Sequence, residues 1–227
     1  LMTESLLRDH DLDLANQFGE RAYAPFYAGI LAAHTSPASP RGTLYAIHTP
    51  GLPALLLPAH AVGGYPAARI LMSALAALAA VLVHVVARDV TGSRGLAFAA
   101  WAILAFTPPL PFYAVSLYPE TPAALATAVF LWATRGVPSR GRWVAVAAAA
   151  ATLPWLHPKF LPLAAAGLLL TLLRPARFST RLATLAPAVL STGLLLLYFA
   201  RVFGRASLSA AYGPGFASDV SLSRLPW

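Results

Sequence analysis

Six apolar runs dominate the chain, at residues 66–87, 95–114, 120–134, 143–157, 159–173 and 182–203, and alternate joints between them are short loops rich in arginine. A bilayer core takes about 20 apolar residues to cross as a helix. Within lipid, water cannot satisfy backbone N–H and C=O groups, so each crossing segment must close its own hydrogen bonds. The expectation is therefore an all-α, polytopic transmembrane helical bundle of about six spans. The third to fifth runs are short and need thinned lipid or shielding by neighbours. Composition agrees: 11% of residues are charged, against about a quarter in soluble domains. The chain holds 20 Pro and 15 Gly, which suits broken membrane helices. It has no cysteine, so neither disulfides nor thiolate metal sites are available.

The charges assign sides. Arg88, Arg94, Arg135, Arg140, Arg142, Arg174, Arg177 and Arg181 lie in loops 88–94, 135–142 and 174–181, accompanied by one acid, Asp89. The other seven acids fall in segments that belong to the opposite side. Short basic loops stay in the cytoplasm. The net charge of +8 thus reads as orientation, and nucleic acid is not an expected partner. Three divisions follow: an extracytoplasmic segment 1–65 with short amphipathic, interfacial helices, a bundle 66–203, and an extracytoplasmic tail 204–227. The start, "LMTESLLRDHDLD", lacks the basic and apolar regions of a signal peptide. The chain is accordingly expected to be a fragment of a longer polytopic protein.

The outer segment carries most of the polar chemistry. Met2–Arg8 reads as a helical turn or two. Asp9, Asp11 and Asp13 recur at period two, so an extended backbone would present all three on one face; a solvated, turn-forming run is the competing reading. "LYAIH" suits a short extended piece, and Thr49-Pro50 can cap and start a helix that stops at Gly63-Gly64. His48 precedes that helix, where N–H groups and dipole favour an anion, unless it is an ordinary loop histidine. Farther on, "LPWLHPKFLP" (153–162) forms an outward hairpin, with Pro154, Pro158 and Pro162 ending and restarting helices. Lys159 there is either an interfacial snorkelling residue or part of a site. No Asp or Glu lies mid-span, which argues against an ion-coupled transporter. Ionisable groups gather at one rim instead: the Asp run, His48, Arg69, Glu120, His157 and Lys159.

The segments "SLLRDHDLDLANQF", "LYAIHTPGLPALLLPAHAVGG", "FTPPLPFYAVSLYPETPAAL" and "LPWLHPKFLPLA" follow in an order and spacing that resemble bacterial GT-C superfamily membrane glycosyltransferases. Their relatives are protein O-mannosyltransferases and the aminoarabinose transferases of lipid A. The resemblance covers Leu1 to about Phe203. It implies inverting transfer of a sugar from a polyprenyl-phosphate donor to a hydroxyl of a lipid, protein or polysaccharide acceptor, outside the bacterial inner membrane. Such transfer uses a carboxylate base on the acceptor and cations at the departing phosphate. His157, Lys159 and Arg69 are the candidate phosphate contacts, and His48 and Glu120 the candidates for orienting substrate. Glu120 also suits a helix N-terminus on dipole grounds alone. No cofactor is implied, and the sequence gives no support for a divalent metal. One departure matters: the Asp-Glu pair that such proteins carry after their first span would fall just before Leu1. Asp11 and Asp13 are the candidates left for the base. A non-catalytic membrane protein, such as a lipid-carrier flippase, a scaffold or a remnant of the fold, is the alternative.

Overall fold

The computed structural model describes residues 1–135 and 137–213, and among them it is helical with no β-strand. It divides into two compact units, residues 1–57 with 193–227, and residues 58–192. Residues 214–227 of the expected tail lie outside the described residues.

In the first unit, α1 (Met2–Arg8) is supported by a Glu4–Arg8 ion pair one turn apart, at 2.7 Å. A turn then leads into α2 (Ala15–Gly19). The backbone is not extended across the Asp triplet. Asp9 has αR dihedrals and His10 sits at φ 59°, so the expectation of three carboxylates on one extended face is corrected. The "LYAIH" piece is extended only through single bridges, Asp13 with Tyr45 and Thr35 with Ala46. Leu14 and Tyr23 are buried, as are Leu195, Phe199 and Phe203 in the same unit, with Tyr45 edge-on to Phe203 at 6.3 Å.

The helix α3 (Gly51–Thr91) starts where Thr49-Pro50 indicated, the Pro50 carbonyl accepting from Ala54 N at 2.9 Å. Helical geometry is lost at Gly63 (φ −148°, ψ 24°) and Gly64 (φ 60°, ψ −149°). The second of these lies in a region only glycine occupies without strain.

The second unit holds α4 (Arg94–Phe106), α5 (Leu110–Ala114), α6 (Glu120–Arg135), α7 (Arg140–Leu156), a 3-10 turn (Pro158–Phe160) and α8 (Leu161–Leu172). Ser93 and Ser139 cap α4 and α7 by accepting from Leu96 N and Arg142 N. Two expectations are corrected here. The run 95–114 is not one helix, because Pro108 and Pro109 cannot donate and the chain restarts as α5. Pro154 does not end its helix either: α7 continues to Leu156.

Small residues let α6, α7 and α8 approach closely, with Ala123, Ala126, Ala133, Val146, Ala150 and Ala164 all buried. Gly167 of α8 lies so close to the Phe130 ring that a Cβ there would sit 2.3 Å from it. A smaller cluster of Ala76, Ala80 and Leu110 packs against Trp101 and Leu104.

Among the described residues two helices, α3 and α9 (Phe178–Phe203), are long and apolar enough to cross a membrane. Their most apolar stretches are only 28% and 22% buried, whereas the core helix of a soluble protein is buried nearly all round. Ile70, Val81, Leu190 and Leu194 project outward from them with half or more of their surface exposed. Shorter apolar helices lie at Arg94–Phe106 and Pro158–Leu172.

Candidate functional site

In the second unit, three of the sequence candidates come together. The hairpin after α7 ends in His157, whose Nδ1 accepts the backbone N–H of Lys159 at 3.1 Å and so caps the 3-10 turn. That bond makes Nε2 the imidazole nitrogen that carries the proton in the neutral ring. The same turn directs Lys159 Nζ onto Glu120 Oε1, 2.5 Å away, in the first turn of α6. The lysine side chain is 48% exposed and the glutamate 27%, so one end of this pair is open to solvent. Glu120 Oε2 is buried and has no hydrogen-bond partner among the described residues. The Phe160 ring lies 5.1 Å from Lys159 Nζ, a cation–π contact that helps hold the ammonium in place.

Arg69 is held separately, on α3. Its Nε donates to the Val115 carbonyl at 3.0 Å, and its guanidinium lies over Tyr65 at 5.9 Å. Ser73 donates to the Ala114 carbonyl at 2.9 Å, and Thr121 to that of Tyr113, also at 2.9 Å. These three side chains close the end of α5, adding to the Ser116 N–H that the Tyr113 carbonyl also accepts. The side chain of Arg69 is exposed, and beyond Nε its remaining donors point from a fixed anchor.

The aspartates belong to the first unit, and their oxygens are engaged locally. Asp11 Oδ1 accepts from the Ser5 hydroxyl at 2.7 Å and from Asp13 N at 3.1 Å. Asp13 Oδ1 accepts from Ala15 N at 3.1 Å and Leu44 N at 2.8 Å. Asp9 Oδ2 accepts from the side-chain amides of Asn16, at 2.9 Å, and of Gln17. Short acidic side chains that bond the backbone two residues on are turn-builders. Asp13 goes further, fastening the start of α2 to the segment that leads to α3. His48 stands ahead of α3 with its ring edge-on to His34 at 5.4 Å, and Thr49 next to it is buried.

Hydrogen bonding thus gives the carboxylates and the cations different standing. The Asp oxygens named above are committed to the turn, whereas Lys159 and His157 form a part-exposed pair of nitrogen-bearing side chains that can meet an anion, with Glu120 holding the lysine. Sequence reasoning named these three but did not foresee their pairing, because 39 residues separate Glu120 from Lys159. It also missed Phe160 and Tyr65 as ring partners of the cations. Adjacency to Lys159, and one helical turn from Arg69, were the available signals. Among the described residues no three His, Asp or Glu side chains converge to hold a metal ion. No family model, no curated protein and no solved structure matches the chain.

Proposed function

We propose that the chain is part of a membrane glycosyltransferase that moves a sugar from a polyprenyl-phosphate donor to an acceptor hydroxyl outside the bacterial inner membrane. In this reading six segments cross the bilayer at 66–87, 95–114 (as α4 plus α5), 120–134, 143–157, 159–173 and 182–203. Residues 1–65 lie outside, with the arginine loops in the cytoplasm. The observation that carries it is the Glu120–Lys159 pair beside His157, at the turns that the topology puts on the outer face.

Transfer with inversion forms a bond from the acceptor oxygen to the anomeric carbon as the bond to the phosphate oxygen breaks. The acceptor proton goes to a carboxylate and polyprenyl phosphate leaves. Negative charge grows on that phosphate, and a fixed ammonium beside it lowers the barrier. Lys159 supplies the ammonium, Glu120 positions it, and His157 Nε2–H and Arg69 are further donors. Glu120 also orients the substrate within this unit, whereas the sequence candidates Asp11, Asp13 and His48 belong to the first unit.

A second reading, a non-catalytic membrane protein, draws on one specific observation. Asp11 Oδ1 and Asp13 Oδ1 serve the turn, so each aspartate put forward as the base also carries a structural task. One binding experiment tests the phosphate contact on which the first reading rests. The chain in nanodiscs is titrated with polyprenyl phosphate carrying a photo-crosslinker. Lys159→Ala should weaken capture about tenfold, as expected for a lost charge-assisted contact, and Lys159→Arg should restore most of it. Capture unchanged in Lys159→Ala would reduce Lys159 to a structural partner of Glu120.

A further inference from the structure

We infer that the groove between α7 and α9, within the second unit, binds an anionic phospholipid. The groove encloses about 930 Å³. Its walls are apolar, made by Val144, Ala147 and Ala148 of α7 and by Ala183 and Pro187 of α9. Its mouth is built differently, from Ser139, Arg140, Arg177, Ser179 and Thr180.

Three observations give the mouth its sign. First, α7 begins at Arg140 and α9 at Phe178. Two helix N-termini therefore open there, each with spare N–H groups and the positive end of its dipole. Second, the arginines of these loops have divided their work. Arg142 donates to the Trp132 carbonyl and stacks over the Trp132 ring at 4.2 Å, Arg174 donates to the Ala133 carbonyl at 2.5 Å, and Arg181 to the Arg174 carbonyl at 3.4 Å. The side chains of Arg140 and Arg177 carry no hydrogen bond or ion pair among the described residues. Both are exposed. Third, the sequence holds no Asp or Glu between Glu120 and Asp219, so nothing acidic on this stretch can neutralise them.

The occupant follows from that pairing of parts. A free phosphate would use the mouth and leave the walls wet, whereas a phosphodiester headgroup with an acyl chain uses both. A second copy of this chain, itself at +8, would bring like charge to the mouth. Basic pockets between membrane helices on the cytoplasmic side select acidic headgroups, and the arginine loops define that side by the distribution of charge. The inference depends on membrane residence but not on sugar transfer.

The test is native mass spectrometry of the purified chain in mild detergent, with equal amounts of phosphatidylglycerol and phosphatidylcholine. The unaltered chain should retain phosphatidylglycerol roughly tenfold over phosphatidylcholine. The pair Arg140→Gln and Arg177→Gln should bring the ratio to within about twofold, and the Lys versions should keep most of it. Ala148→Trp, which fills the groove, should release both lipids, while Arg88→Gln with Arg94→Gln should change nothing. Equal retention of the two lipids by the unaltered chain would overturn the inference. So would an equal loss on removing Arg88 and Arg94, since net charge alone would then explain binding. Inorganic phosphate competing as well as a short-chain phosphatidylglycerol would assign the mouth to free anions. A dimer in place of the lipid adduct would assign the groove to a second copy, and either result refutes lipid binding.

Discussion

Gly167→Ala is the sharpest probe of how the second unit is held together. A methyl group at that position would stand 2.3 to 2.4 Å from three carbons of the Phe130 ring, whereas carbon atoms rest comfortably at about 3.5–4.0 Å. Either the ring turns or α8 withdraws from α6 by about 1 Å. Overpacking of that kind costs about 1–3 kcal/mol. Replacing a helical glycine by alanine returns about 0.5–1 kcal/mol, which leaves a net change between about zero and a loss of about 2.5 kcal/mol, and a deficit of about 1–3 kcal/mol against a glycine with room for the methyl. The control is Gly193→Ala in α9, where nothing lies within 4 Å of the added carbon and only the gain should appear. Reversible unfolding of the purified chain in mixed micelles with sodium dodecyl sulfate reads both. Phe130→Leu in the Gly167→Ala background should recover part of the loss and give a coupling term of about 0.5 kcal/mol or more. If Gly167→Ala proves as benign as Gly193→Ala, the close approach of α6 and α8 is refuted.

Gly64→Ala should cost about 1–3 kcal/mol, since alanine is strained at φ 60°, ψ −149°; the same unfolding assay checks it, and a neutral result would mean the break in α3 is not fixed there. Asp13→Ala removes the acceptor of two backbone N–H groups and should destabilise the first unit by about 1–3 kcal/mol, seen as faster hydrogen exchange at Leu44. Loss of sugar transfer without that change would instead favour the base role. A cysteine at Ser139 should resist an impermeant thiol reagent in intact cells, and labelling there would invert the proposed topology.

Local signals carried most of the helix boundaries. Thr49-Pro50 starts α3 and Gly63-Gly64 interrupts it, each through backbone chemistry confined to a few residues, whereas the Ser139 cap of α7 went unread. The misreadings had a different source. Pro154 was expected to break a helix that in fact continues, because the penalty of one missing N–H can be met by neighbouring segments in a packed bundle. Thr107-Pro108-Pro109 lay inside an apolar run whose average concealed the break. At the site, residue types were legible but partnerships were not. Nothing near Lys159 announces Glu120, and nothing near the Asp triplet tells of the Leu44 amide that Asp13 holds.

The far end of α6 has a consequence for the timing of biogenesis. Its carbonyls at Trp132 and Ala133 are met by guanidinium groups 10 and 41 residues downstream. At a ribosomal pace of about 5–20 residues per second, the second of these emerges about 2–8 s after the helix it completes. Until then the last turn of α6 is unfinished, and water or another partner must meet its two carbonyls in the interval.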